Sequence, residues 1–136
     1  YLSSIIGEKP QSWVIARENI LYEDNTKNID YKNLNNMLKD YLQVVNSDIT
    51  NKFCLIIEKL DNRSLQTLIR EFSIGHFALS LKGCNFNTCK IIIKNLSYSA
   101  IFYLIDDIRC MGFVEEKYII EAQNKVLEKI EYLDKI

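Results

Sequence analysis

From residue 33 onward, apolar residues return every three or four positions, the period of a helix with one buried face. In NLNNMLKDYLQVV, the residues Leu34, Met37, Leu38, Tyr41 and Leu42 keep that spacing and predict a helix across most of the stretch. SDITNKFCLIIEKL repeats the theme with Ile49, Phe53, Ile56, Ile57 and Leu60, and Ser47 or Asp48 is placed to cap it. DNRSLQTLIREF supplies Leu65, Leu68, Ile69 and Phe72, and HFALSLKG reads as a short helix stopped by a left-handed Gly83. NFNTCKIIIKNL follows, with Asn85 or Asn87 as its cap. The next helix has both ends marked, by Ser97 as N-cap and by Gly112 just past its C-terminus. The last begins near Val114 and buries Ile119, Ala122, Val126, Ile130 and Leu133. A weaker helix is expected around 12–22, and EDNTKNIDYK at 23–32 reads as a polar loop. No strand alternation competes, so the predicted class is all-α.

One stretch resists this simple reading. FYLIDDIR, at 102–109, sets two adjacent carboxylates in an apolar helix. On a wheel of about 100° per residue, Ile101, Leu104, Ile105, Ile108 and Met111 form the inner side. Ser99, Tyr103, Asp106 and Cys110 form the opposite ridge, flanked by Asp107 on one side and by Phe102 and Arg109 on the other. Both aspartates are therefore expected outside. They lie in the second half of their helix, where its own dipole opposes them. Arg109, three residues beyond Asp106, is a candidate to offset the charge. A convex ridge offers no pocket for a catalytic carboxylate pair.

Composition removes several functions. The 17 basic and 18 acidic side chains nearly cancel, leaving no electrostatic footprint for nucleic acid. No apolar run reaches the roughly 18 residues of a membrane span, and no charged leader with a cleavage site is visible. The chain opens on Tyr1 rather than Met and is read as a piece of a longer protein. Cys54, Cys84, Cys89 and Cys110 form no CxxC pair, and His76 is the sole imidazole, so no metal site is expected. The cysteines read as small buried or half-buried thiols of a reducing cytoplasm. His76 reads as a structural or surface residue near a helix start. Without a phosphate loop or a nucleophile–base pair, no catalytic residue and no cofactor is expected.

Six pieces occur in order and at close spacing: LDNRSLQTLIREF, FALSLKG, IIIKNLS, LIDDI, a glycine, and EAQNKVLEKI. That succession, from residue 58 to about 136, resembles the C-terminal region of the FliG family of flagellar motor switch proteins. The resemblance implies a superhelical fold, an armadillo-like helical unit at 33–57 followed by a six-helix C-terminal torque domain at 58–136. It leaves 1–32 as an N-terminal helix and loop. Asp106 and Asp107 fall on the paired acids of the family's torque helix, which faces the cytoplasmic loop of the stator ion channel. Lys82, in LSLKG, falls on a lysine whose charge lies on the same surface. Ser99 stands where the family usually has a basic residue, and Glu115 stands at the arginine of its GPVR motif, with Phe113 at the proline. These departures make the working face more negative. They imply either a compensated stator or a divergent paralogue with an altered motor role.

The hinge motif Met-Phe-X-Phe has its nearest match at Phe53, Cys54, Leu55 and Ile56. Glu8-Lys9-Pro10-Gln11 is similar to a middle-domain signature of the family but lies too close to the hinge for its domain order. The implied role is a structural rotor component without catalysis. Its partners would be the stator loop, the flagellar switch protein of the C-ring and neighbouring copies. Its place would be cytoplasmic, peripheral to the inner membrane at the flagellar basal body. The alternative is a cytoplasmic regulatory module like the N-terminal domain of a magnesium channel. Two acids on a convex ridge supply few of the six to eight oxygens a divalent cation takes.

Overall fold

The computed structural model describes residues 29–134, and the helix expected at 12–22 lies outside them. Seven helices and no strand occur among the described residues. They are α1 (Tyr31–Leu38), α2 (Asp48–Lys59), α3 (Asn62–Arg70), α4 (Ile74–Leu81), α5 (Phe86–Ile93), α6 (Tyr98–Cys110) and α7 (Glu116–Asp134). The all-helical class follows from the apolar periodicity. Residues from Leu38 onward form one compact unit holding α2 to α7 whole. A boundary at residue 58 would cut α2 within its last turn.

Side-chain caps start six of these helices, with Asp30 Oδ1 accepting from the Asn33 amide at 3.0 Å ahead of α1. Ser47, Asp61, Ser73, Asn85 and Ser97 each sit in extended backbone and accept a bond from the amide three residues on. Each such cap contributes about 1 kcal/mol by satisfying an amide that the helix leaves open. Gly112, at φ 67°, ends α6 in the left-handed region that a side chain resists.

Within the unit, α4 packs against α6 and α7, α2 against α7 and α5, and α3 against α7. The inner stripe of α6 is fully buried at Ile101, Leu104, Ile105 and Ile108, and α7 contributes buried Ile119, Ala122, Val126 and Ile130. Met111 and Leu133 are only half-buried.

Two expectations are corrected. The helix predicted through Leu42 stops at Leu38. One further turn closes on the Leu38 carbonyl, and the chain then runs alongside the end of α4. Gln43 N–H donates to the Lys82 carbonyl at 2.6 Å and Val45 N–H to that of Gly83 at 3.4 Å. The Gln43 side chain also grips the backbone of Val114 with two 2.8 Å bonds. These long-range partners outweigh a local helical period. Gly83, in turn, is not left-handed, since Gly112 is the only positive-φ glycine among the described residues. It is glycine because neighbours press on it: a Cβ there would lie 2.7 Å from Ile119 Cγ2 and 2.8 Å from Val45 Cγ2.

Candidate functional site

The ridge of α6 emerges as the wheel predicts. Ser99 and Cys110 are exposed, Tyr103 is 66 % exposed, and Asp106 and Asp107 are both half-buried rather than fully outside. The Cys110 thiol approaches Asp106 Oδ1 at 3.8 Å. Asp107 has a neighbour that the sequence did not disclose. A Cβ built on Gly75 would lie 3.8 Å from Asp107 Oδ2 and equally far from Ser73 Oγ. Ser73 is the N-cap of α4 and Gly75 lies in its first turn. The carboxylate therefore meets the positive end of a second helix dipole, an arrangement that stabilises by about 0.3–1 kcal/mol. The opposing dipole of its own helix is offset by α4.

The basic residues are held to structural tasks. Arg109 lies 5.2 Å from the centre of the Tyr41 ring, a cation–π contact on the flank of the ridge. Lys82, expected to display its charge on this surface, is instead 2 % exposed. Its ammonium donates to the carbonyl of Ile108 at 3.2 Å, in the last turn of α6. There it meets the negative end of that helix, where carbonyls lack helical donors. Burial pulls the Lys82 pKa down, because the charged form loses water. The LSLKG lysine thus anchors the underside of α6.

Glu115 is exposed and pairs with Lys117 at 3.7 Å. With both side chains about two-thirds exposed, such a pair contributes little. Phe113 beside it is 81 % exposed. Phe53, Cys54, Leu55 and Ile56 all lie inside the continuous helix α2: Phe53 is buried, Leu55 exposed, and the other two half-buried. His76 Nε2 lies 2.9 Å from the Ala122 carbonyl and its ring stacks on Phe72, so the imidazole ties α4 to α7.

The sequence reading missed Gln123. Fully buried, it accepts from Thr50 Oγ at 2.7 Å and donates to the Ser80 carbonyl at 2.9 Å. One amide thereby joins α2, α4 and α7. A signal was present: Ile119, Ala122, Gln123, Val126 and Leu127 follow i, i+3, i+4, i+7, i+8, placing a glutamine on the apolar stripe.

Residues 38–135 match the model of the FliG C-terminal domain family. The chain belongs to that family. The match begins at the residue where the compact unit begins. Two curated relatives are similar to it, both flagellar motor switch proteins FliG. That of Thermotoga maritima is 40 % identical over 78 residues, 57 % of this chain and 23 % of the relative. That of Borreliella burgdorferi is 32 % identical over 75 residues, 55 % of this chain and 22 % of the relative. The chain thus spans less than a quarter of the length of these FliG proteins.

Proposed function

We propose that this chain is part of a rotor subunit of the flagellar motor switch, a non-enzymatic piece that carries torque and direction through charged contacts with the stator. The reading rests on one observation. The α6 ridge sets Asp106 and Asp107 side by side at the surface, on a helix fixed by a fully buried inner stripe. Isolated surface charge pairs contribute about 0.2–1 kcal/mol and are screened by salt. Contacts of that size form and release quickly, which suits a rotor meeting successive stators.

In this reading Asp106, Asp107, Ser99 and Glu115 meet the stator's cytoplasmic loop. Lys82 acts from beneath, by holding the end of α6. Residues 33–57 would belong to an armadillo-like, superhelical unit that stacks on neighbouring copies, with Phe53–Ile56 as its hinge. The flagellar switch protein of the C-ring would bear on the same assembly, at the cytoplasmic face of the inner membrane. No helix among the described residues is long and apolar enough to cross a membrane.

The test is Asp106→Lys with Asp107→Lys in the full-length protein. Cells that build flagella but do not rotate them are expected. Wild-type swimming would reduce the acids to a solvated face. An Asp106→Asn, Asp107→Asn variant separates charge from folding. It places no cation at the start of α4, where Asp107→Lys carries a cost of about 0.3–1 kcal/mol.

A further inference from the structure

Between Leu38 and the start of α2, residues 39–46 belong to no helix and lie across the end of α4. Four hydrogen bonds join them to α4 and to the α6–α7 turn, and three of these run through Gln43. Its N–H donates to the Lys82 carbonyl at 2.6 Å, and its side-chain amide clasps both backbone groups of Val114 at 2.8 Å. The fourth, from Val45 N–H to the Gly83 carbonyl, is 3.4 Å long. Val45 is the only buried side chain of the stretch, pressed against Gly83, while Val44 beside it is 90 % exposed. The segment thus has solvent along its outer side.

What it covers is a charge. Among the described residues the buried Lys82 ammonium has one acceptor, the Ile108 carbonyl, and no carboxylate within ion-pair distance. An ammonium carries three donors, and burying it with a single partner is unfavourable. Both ends of that side chain lie beside the segment. At its root the Lys82 carbonyl takes the Gln43 N–H. At its tip Ile108 is followed by Arg109, whose guanidinium lies 5.2 Å from the centre of the Tyr41 ring. Residues 41–43 therefore run along the span that hides the ammonium.

We infer that residues 39–46 are a strap that opens as a local unit while α2 to α7 stay folded, and that opening bares the Lys82 ammonium at the end of α6. Opening gives up the Gln43 clasp and the Val45 plug. The backbone groups it releases, at Lys82, Gly83 and Val114, then meet water rather than an apolar core, and the ammonium regains the hydration that burial removed. Segments with few buried side chains and solvent along one side open at far lower cost than the whole fold. Closed, the strap hides one positive charge and holds Tyr41 against Arg109. Open, it adds that charge to the helix that carries Asp106 and Asp107. The inference does not depend on the motor reading.

The experiment applies brief pulses of sulfosuccinimidyl acetate to the full 136-residue chain, and peptide mass spectrometry compares Lys82 with the exposed Lys125 of the same molecule. In the wild-type chain Lys82 should react more slowly than Lys125, at a rate that about 1 M urea leaves unchanged, because local opening exposes little surface. Gln43→Ala removes both side-chain bonds to Val114 and should raise the ratio of Lys82 to Lys125 labelling about tenfold. Leu68→Val, in the buried face of α3, lowers global stability without touching the strap and should leave that ratio at its wild-type value. Lys82 reacting as fast as Lys125 in the wild-type chain would overturn the inference, since nothing would then conceal the charge. So would an unchanged ratio in Gln43→Ala, or a wild-type rate that climbs with urea. An equal rise in Leu68→Val and Gln43→Ala would assign the labelling to global unfolding and sink the strap.

Discussion

The Gln123 amide offers a quantitative test of how this fold is held. Gln123→Leu keeps the approximate shape but removes an acceptor 2.7 Å from Thr50 Oγ1 and a donor 2.9 Å from the Ser80 carbonyl. A buried polar group left unsatisfied costs about 1–3 kcal/mol. Ser80 O keeps the Cys84 thiol at 3.5 Å, so its loss is the smaller one. The single change should therefore cost about 2–4 kcal/mol. Thr50→Val strands the glutamine oxygen instead, at about 1–3 kcal/mol. Ser47 Oγ still accepts from the residue-50 amide at 3.0 Å, so the cap of α2 survives. In the double variant the hydroxyl and its acceptor are gone together, and neither is left orphaned. The combined cost should fall short of the sum by about 1–2 kcal/mol, within the range of direct neighbours. Urea unfolding followed by far-UV circular dichroism measures all four corners of the cycle, provided the slope against urea stays constant. Additivity to within about 0.5 kcal/mol would show that the two side chains act independently, and the shared-bond account would be wrong.

Two further outcomes follow from close packing and from burial of charge. Gly83→Ala forces a Cβ to 2.7 Å from Ile119 Cγ2 and 2.8 Å from Val45 Cγ2. Overpacking of this kind costs about 1–3 kcal/mol, offset by about 0.4–1 from the stiffer unfolded chain. A lowered urea midpoint is expected, and an unchanged or raised one would show that Val45 yields freely. Lys82 has its pKa depressed in the folded state, so between that value and the ordinary lysine value the unfolded chain binds more protons. Its contribution to stability therefore rises with pH through that window, up to about 10.4. The wild-type chain should gain on Lys82→Met as pH is raised from neutral, and a pH-independent difference in unfolding free energy would contradict the burial effect.

Much of the architecture was legible because it is local. A period of three to four residues marks a helix whatever it packs against, and Ser47, Asn85, Ser97 and Gly112 act on amides and carbonyls within their own turn. For the same reason the outer position of the α6 ridge could be read from a wheel, and an ordered succession of short motifs identified the family. Other features depend on what lies across the core. Lys82 looked like a surface charge until the carbonyl of Ile108 met it at 3.2 Å. Asp107 looked opposed by a dipole until α4 presented its own N-terminus beside it. Gly83 resembled a helix stop, but Ile119 and Val45 are what exclude a side chain there. Gln123 could be read as an oddity on an apolar stripe, yet its partners at Thr50 and Ser80 lie 73 and 43 residues away. Sequence periodicity reports which side of a helix faces inward. Only the tertiary structure decides which charge, carbonyl or thiol waits on the other side.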